Sequence, residues 1–289
     1  MVPFDFLVPY SMDEAIGLLD PEDPDVRPVG GGTAIMLMMK AGVLRPKRLV
    51  GLQHVEAAYS QIRINTAGEL VIGGLAKLSA IEQHPDVARA WPMLARTMRT
   101  LSSVRVRSVA TLGGNLAHAD PHMDLPPVLS ALGARASIVG PRGRRSVGVD
   151  SLCVGYYETV LARDELISEV IVPPQRGPAI YMKVTTRAAH DWPALGLAVV
   201  LDIQGDQIRT ARIFVGAATD RPTQLHNAQA ILEGAAIEPM VLQKAGDAGA
   251  DEISIVGDAH GSAHYKRHLL RVNMGRAIRG AVAYAGSMK

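Results

Sequence analysis

Apolar and polar residues follow two different rhythms along the 289 residues, and the change of rhythm divides the chain. In the first half, short apolar runs are cut by turn residues. Arg27-Pro28-Val29 reads as a strand entering Gly30-Gly31-Gly32, and a helix predicted from Thr33 ends near Gly42, with Pro46 beyond it. Arg48–Leu52 reads as a second strand. Gln61–Ile64 and Glu69–Ile72 alternate about Thr66-Ala67-Gly68, which signals a hairpin. Leu78–Arg99 is helical in pattern, interrupted at Pro85 and Pro92. A glycine-rich loop, Thr111–Asp124, leads into a helical Leu125–Leu132 and a strand at Arg135–Val139. Leu166–Val172 alternates and stops at Pro173-Pro174, and Pro173–Pro178 is the best linker in the chain. Beyond it, Ala194–Ile203 and Ile208–Ala217 flank Gln204-Gly205-Asp206-Gln207 as an antiparallel hairpin. Helical patterns dominate from Leu225, ending in a long stretch from Ala263 to Ala285.

Composition narrows the possibilities. Hydrophobic residues make up 48 % and charged residues 20 %, a globular balance, and the length suits two domains. The net charge of +2 is spread without a dense basic block, so nucleic acid is not an expected partner. The four arginines of Arg96–Arg107 are expected to be solvated on a helix face and loop. Met1-Val2-Pro3-Phe4-Asp5 has no basic region followed by an apolar run, so no secretory leader is expected. No apolar run approaches the roughly 20 residues that cross a bilayer; Ala34–Met39 is cut short by Lys40 and Gly42. A cytoplasmic location with no integral membrane segment is the expectation. Cys153 is alone, so this chain holds no internal disulfide, thiolate-rich zinc site or iron–sulfur cluster. Any redox chemistry would need an organic cofactor.

Two glycine loops carry the candidate chemistry. Val29-Gly30-Gly31-Gly32-Thr33-Ala34 places a glycine run between a strand and a helix N-terminus, where amides and the helix dipole favour an anion. Thr33 is expected to cap that helix. The Lys-Ser/Thr pair of a P-loop is absent, and Ile35 stands where a dinucleotide fingerprint needs its third glycine. Taken alone, a triple glycine is more often just a tight turn. In the second loop, Thr111-Leu112-Gly113-Gly114-Asn115, the glycines again permit close backbone approach and Asn115 offers both donors and an acceptor. Its continuation alternates His118, Asp120, His122 and Asp124, a set that would suit zinc or iron in an extended segment. Pro121 breaks that regularity, and Asp124 stands where it would cap the next helix, so a polar loop with one cap is the simpler reading. Two such loops about eighty residues apart suit one long ligand with a central pyrophosphate.

Thr111-Leu112-Gly113-Gly114-Asn115-Leu116-Ala117-His118-Ala119-Asp120-Pro121, followed by Asp124-Leu125-Pro126 and Leu132-Gly133-Ala134, resembles the medium, FAD-binding subunit of molybdenum hydroxylases. That group contains aerobic carbon monoxide dehydrogenase and xanthine dehydrogenase, and the resemblance runs essentially end to end. At position 32 the chain has glycine where the family more often has a larger polar residue. The resemblance implies an α+β fold: a two-subdomain FAD-binding α/β domain of the vanillyl-alcohol-oxidase (PCMH) type, then a C-terminal antiparallel sheet with helices. The implied domains are residues 1–175, with subdomains of about 1–53 and 54–175, and residues 178–289. It implies FAD as cofactor, with Val29, Gly30, Gly31, Gly32, Thr33 and Ala34 on the pyrophosphate and Thr111, Gly113, Gly114 and Asn115 approaching from the second loop. Asp124 matches a carboxylate on the ribityl hydroxyls, Leu166 an apolar contact near the flavin, and Lys183 a positive charge beside it. Trp192, in His190-Asp191-Trp192-Pro193, falls in a segment near the flavin ring, where it would either stack on the ring or pack as an ordinary aromatic.

The implied function is electron transfer between a small 2Fe–2S subunit, fed by a large molybdopterin subunit, and an external acceptor, in a dimer of heterotrimers. No nucleophile or acid–base pair is expected on this chain. Two alternatives stand beside it: a self-sufficient FAD-dependent oxidoreductase of the same cofactor fold, and a non-catalytic nucleotide-binding module.

Overall fold

The structure, a computed structural model, describes residues 2–286; Met1 and Ser287–Lys289, the ends of the expected domains, lie outside the described residues. The chain opens with β1 (Asp5–Leu7), α1 (Met12–Gly17), β2 (Val26–Val29), α2 (Thr33–Lys40) and β3 (Arg48–Gly51). The strands pair in parallel in the order β1-β3-β2, and the helices make the crossovers that parallel pairing requires. β1 and α1 have no counterpart in the sequence reading. They are three and six residues long, too short for a periodic signal, and α1 is set by its cap: Ser11 Oγ accepts from the Glu14 amide at 3.1 Å.

The middle of the chain holds β4 (Ile62–Ile64) and β5 (Leu70–Gly73), the expected hairpin. Next come α3 (Leu78–Gln83), α4 (Pro85–Ala90) and α5 (Pro92–Thr100). Both prolines occupy the first helical position, where a missing N–H costs nothing, so they start new helices. Then follow α6 (Val104–Arg107), α7 (Leu112–His118), α8 (Leu125–Ala131), β6 (Arg135–Gly140), β7 (Gly143–Gly148), β8 (Cys153–Gly155), β9 (Glu158–Thr159) and β10 (Leu166–Val172). β10 inserts between β5 and β6 in a five-stranded antiparallel sheet, β4-β5-β10-β6-β7. The last strand to emerge thus becomes the central one, and residues 62–172 close around it. Trp91, Leu94, Met98, Leu112, Leu116 and Val128 pack against this sheet in one core.

Two expectations need correction here. Thr111–Asp124 is not a plain loop, because α7 forms within it. Thr111 caps α7, with its Oγ1 accepting from the Gly114 amide at 3.2 Å, and the glycines are tolerated because Gly113 is buried against backbone. The arginines are not all solvated: Arg107 is buried, bound to Glu82 at 2.8 Å and to the carbonyls of Leu101 and Ser102.

The remainder is β11 (Ala179–Thr185), β12 (Pro193–Gln204), β13 (Gln207–Gly216), β14 (Thr223–Gln224), α9 (His226–Leu232), α10 (Pro239–Asp251) and α11 (Ala263–Gly286). The strands form an antiparallel sheet in chain order. β12 is apolar on both faces for a reason. Leu195, Leu197, Val199 and Leu201 enter a core with α9, α10 and α11, whereas Ala198 joins Phe214 in the core of the middle unit. Gly216 on that second face lets the sheet approach, since a Cβ there would lie 3.0 Å from Pro127 in α8, and Gly196 leaves room for the Tyr181 ring of the neighbouring strand, whose Oη would lie 2.3 Å from a Cβ. The C-terminal sheet is thereby pressed against the start of α8, where Asp124 stands. Among the described residues, no helix is long and apolar enough to cross a membrane.

Candidate cofactor site

The structure brings the two glycine loops into backbone contact. A Cβ on Gly30 would sit 2.6 Å from Thr111 Oγ1, and one on Gly31 would sit 2.0 Å from the Val109 carbonyl oxygen. No side chain fits at either position. Gly32 has φ of +72°, a conformation costly for residues with a Cβ, and it is the N-cap of α2. Thr33 is therefore the first helical residue and not the cap, which leaves its hydroxyl free of that duty. Val29 and Ala34 flank this turn, both half-buried.

The two helix N-termini differ in what their amides meet. In α7 every leading amide is already satisfied: Leu112 donates to Ala76 O at 3.0 Å, Gly113 to Gly74 O at 2.7 Å, and Gly114 to Thr111 Oγ1. In α2 the amides of Thr33, Ala34 and Ile35 have no acceptor among the described residues. The first loop can therefore receive an anion, and the second supplies the wall behind it. Gly113 needs to be glycine for packing, since a Cβ there would lie 2.8 Å from Gly74 O. Around Gly114 an added Cβ would meet only Thr111 Oγ1, at 2.9 Å. Asn115 is buried; its Nδ2 touches Met123 Sδ at 3.0 Å, while its Oδ1 is buried without a partner. Such an orphaned amide end is uncommon in a protein interior and leaves Asn115 with an unused acceptor.

Asp124, only 4 % exposed, begins α8 but caps nothing; its carboxylate turns to the C-terminal sheet. Oδ2 accepts from Lys183 Nζ at 2.9 Å and Oδ1 from Tyr181 Oη at 2.7 Å, and Lys183 also donates to Thr100 O at 3.0 Å. Burial pushes the Asp124 pKa up, and the Lys183 charge and both hydrogen bonds pull against it. Burial also drives the Tyr181 hydroxyl well above its ordinary value, reinforced by the Asp124 charge.

Asp120 and His122 of the alternating set bind each other, but no three of the four gather as a metal site among the described residues. His118 meets the Tyr157 ring, Asp120 accepts from Tyr157 Oη at 2.5 Å, His122 bridges Asp120 and Asp258, and Asp124 faces Lys183. Trp192 is 43 % exposed and touches the His122 ring edge-on, with centroids 5.7 Å apart. Leu166 is buried in the core between the first sheet and the middle unit, in one cluster with Val50 and Val139. Gly73-Gly74 makes a third close backbone approach, one not anticipated from the sequence. A Cβ on Gly74 would lie 1.9 Å from Ile167 O, and Gly74 O anchors α7. Its signal was available: a strand run, Leu70–Ile72, followed by two glycines, as in the first loop. Tyr181 was also missed, and nothing in its local sequence marks it.

The chain matches the family "FAD binding domain in molybdopterin dehydrogenase" over residues 2–175 and "CO dehydrogenase flavoprotein C-terminal domain" over residues 180–281. It is 32 % identical to the nicotine 6-hydroxylase medium subunit of Paenarthrobacter nicotinovorans, over 93 % of this chain and 94 % of that one. It is 29 % identical to the carbon monoxide dehydrogenase medium chain of Afipia carboxidovorans, over 99 % of both. Among solved structures, carbon monoxide dehydrogenase from Hydrogenophaga pseudoflava aligns with a TM-score of 0.93 at 30 % identity, covering 98 % of this chain and 99 % of that one.

Proposed function

The chain belongs to the family of FAD-binding medium subunits of molybdopterin dehydrogenases, and from that membership we propose that it holds one non-covalent FAD where its two glycine loops meet. The observation that carries the proposal is the open N-terminus of α2: three amides without acceptors, beside a seam that admits no side chain at Gly30 or Gly31. Gly30–Ala34, with Val29 behind them, would hold the pyrophosphate through these amides and the Thr33 hydroxyl. Thr111, Gly113 and Gly114 wall the seam, and the unpartnered end of Asn115 meets the cofactor. Asp124, acceptor-only when ionised, suits the ribityl hydroxyls. Lys183 fixes that carboxylate and sets a positive charge in the same place, while exposed Trp192 covers the ring. Leu166, at the start of β10, is the apolar contact near the flavin. We assign residues 1–175 to FAD binding, as subdomains of about 1–53 and 54–175, and residues 178–289 to the C-terminal flavoprotein domain.

Bound FAD supplies a carrier that accepts electrons singly and releases them as a pair. The chain's own residues bind and orient it. With Cys153 its one cysteine, the chain holds no iron–sulfur cluster of its own, and the electrons come from clusters on another chain. The partners are a small 2Fe–2S subunit and a large molybdopterin subunit, in a dimer of heterotrimers, with an external acceptor beyond the flavin. The test is acid precipitation of the purified yellow protein, followed by flavin identification. FAD in the supernatant is expected; FMN there, or colour left in the pellet, overturns the proposal. Bleaching of the isolated chain by an organic substrate would overturn the electron-relay part.

A further inference from the structure

Between the second glycine loop and the C-terminal half lies a polar knot that the flavin reading leaves unused. His122 Nδ1 stands 3.1 Å from Asp120 Oδ1, and Nε2 stands 2.8 Å from Asp258 Oδ2. Asp120 also receives the Tyr157 hydroxyl and, through Oδ1, the His122 amide at 2.8 Å. Asp258 receives Lys266 Nζ, which is fully buried and also donates to Ala217 O. The His260 ring lies 5.1 Å from the His122 ring, and Trp192 meets it edge-on. Three non-glycine residues in the left-handed region gather here: Ala119 (φ 51°), Tyr157 (φ 59°) and Ala217 (φ 64°). Tyr157 N donates to Ala119 O at 3.2 Å and Ala217 N to Pro121 O at 2.9 Å, so all three strained residues brace one turn, Ala119–His122. Strain of this kind persists only where the surroundings impose it, and it gathers at functional positions.

That turn leads directly into Met123, the contact of Asn115, and into Asp124. We propose that His122 is a positioning residue for the flavin: as an imidazolium tied to Asp120 and Asp258, it locks the turn that presents Asn115 and Asp124 and backs Trp192, and so couples FAD affinity to pH. The chemistry is decided by hydrogen count. Both ring nitrogens face carboxylate oxygens, and a neutral imidazole carries a single N–H, so only the protonated ring can donate to both. Burial works against the charge, but the bonds to Asp120 and Asp258 outweigh it and hold the His122 pKa above its ordinary value. Lys266 and the His122 bond keep Asp258 ionised, at about 2 despite burial. Deprotonating His122 as pH rises cuts one tie and frees the turn from one of its two anchors. Because FAD selects the tied turn, binding must in return raise the His122 pKa.

The proposal rests on FAD binding at the loop seam, and the experiment separates the two. FAD affinity is titrated by flavin fluorescence from pH 6 to pH 9 on the full chain, with the His122 ring followed by NMR of nitrogen-labelled histidine. In the parent, affinity should fall about tenfold over this range, the worth of one charge-assisted hydrogen bond. The His122 titration should also move upward on FAD loading. His122→Gln should bind about as weakly as the parent at pH 9, with no slope; Asp258→Asn should likewise flatten the profile and serves if the first variant fails to fold. A parent that binds FAD with no pH slope, or a His122→Gln protein that keeps the parental slope, overturns the positioning role alone. A parent that binds no FAD at any pH overturns the underlying site instead.

Discussion

Lys183→Met tests the site through its electrostatics. The substitution keeps the length of the side chain and removes the charge facing Asp124. Both partners are nearly buried, at 7 % and 5 % side-chain exposure, and their contact is 2.9 Å. At that separation and an effective dielectric of about 20, the lost attraction is about 6 kcal/mol, of which part offsets the cost of desolvating the pair. The net loss expected when one member of a buried pair is removed is about 3–5 kcal/mol. For a chain of this size that is a fall in melting temperature of about 6–10 °C. The pH dependence has a definite sign. Burial already raises Asp124 above its unfolded pKa, and removing Lys183 raises it further. A carboxyl so raised contributes its full stability below the unfolded pKa and loses it as pH climbs through the folded one. The deficit should therefore be widest at pH 8 and narrow towards pH 5. The double variant Lys183→Met/Asp124→Leu removes the stranded carboxylate with its partner and should recover most of the lost melting temperature, while binding FAD poorly. Thermal melts at pH 5, 6.5 and 8, with and without FAD, decide it. If Lys183→Met melts within about 2 °C of the parent at pH 8, or the double variant is no better than the single one, the reasoning fails.

Gly31→Ala should separate the loops, because its Cβ would fall 2.0 Å from Val109 O; an FAD affinity loss above about a hundredfold is expected, with about 1–3 kcal/mol of overpacking cost in urea unfolding. Gly32→Ala keeps the seam and adds only left-handed strain, about 1–2 kcal/mol, so its affinity should fall far less; equal losses in the two variants would argue against the seam. Cys153, buried with its pKa raised to about 11, should resist iodoacetamide at pH 8 in the native chain and react on unfolding, as mass spectrometry would show.

Local chemistry wrote a good part of the molecule plainly into the sequence. Leu195, Leu197, Val199 and Leu201 recur with the period of two of a strand, and with the turn residues around Gly205 they made the hairpin of β12 and β13 legible. Prolines 85 and 92 break one helical pattern into separate helices at the positions where proline lacks nothing. The strand–Gly–Gly–Gly–helix sequence was legible as a turn into a helix N-terminus, and the amides and dipole that would suit an anion there are local properties.

Other features belong to no local pattern. That Gly30 and Gly31 abut Val109–Thr111 is a steric fact about two backbones far apart in sequence, and glycine records only that something comes close, never what. The chain pointed to two phosphate loops; packing alone decided that the α7 amides are spent on Ala76, Gly74 and Thr111 while those of α2 stay open. Asp124 has the residue type and place of a helix cap, and Tyr181 and Lys183 claim its carboxylate because Gly196 leaves room for the Tyr181 ring and Gly216 lets the sheet meet α8. His118, Asp120, His122 and Asp124 share a rhythm that suggests a metal, and a turn braced by three left-handed residues ties Asp120 to His122 and Tyr157 while Asp124 turns away to Lys183. A hydrogen bond depends on which surface arrives within 3 Å, and that is settled by how the sheets and helices pack, after the residue pattern has done its work.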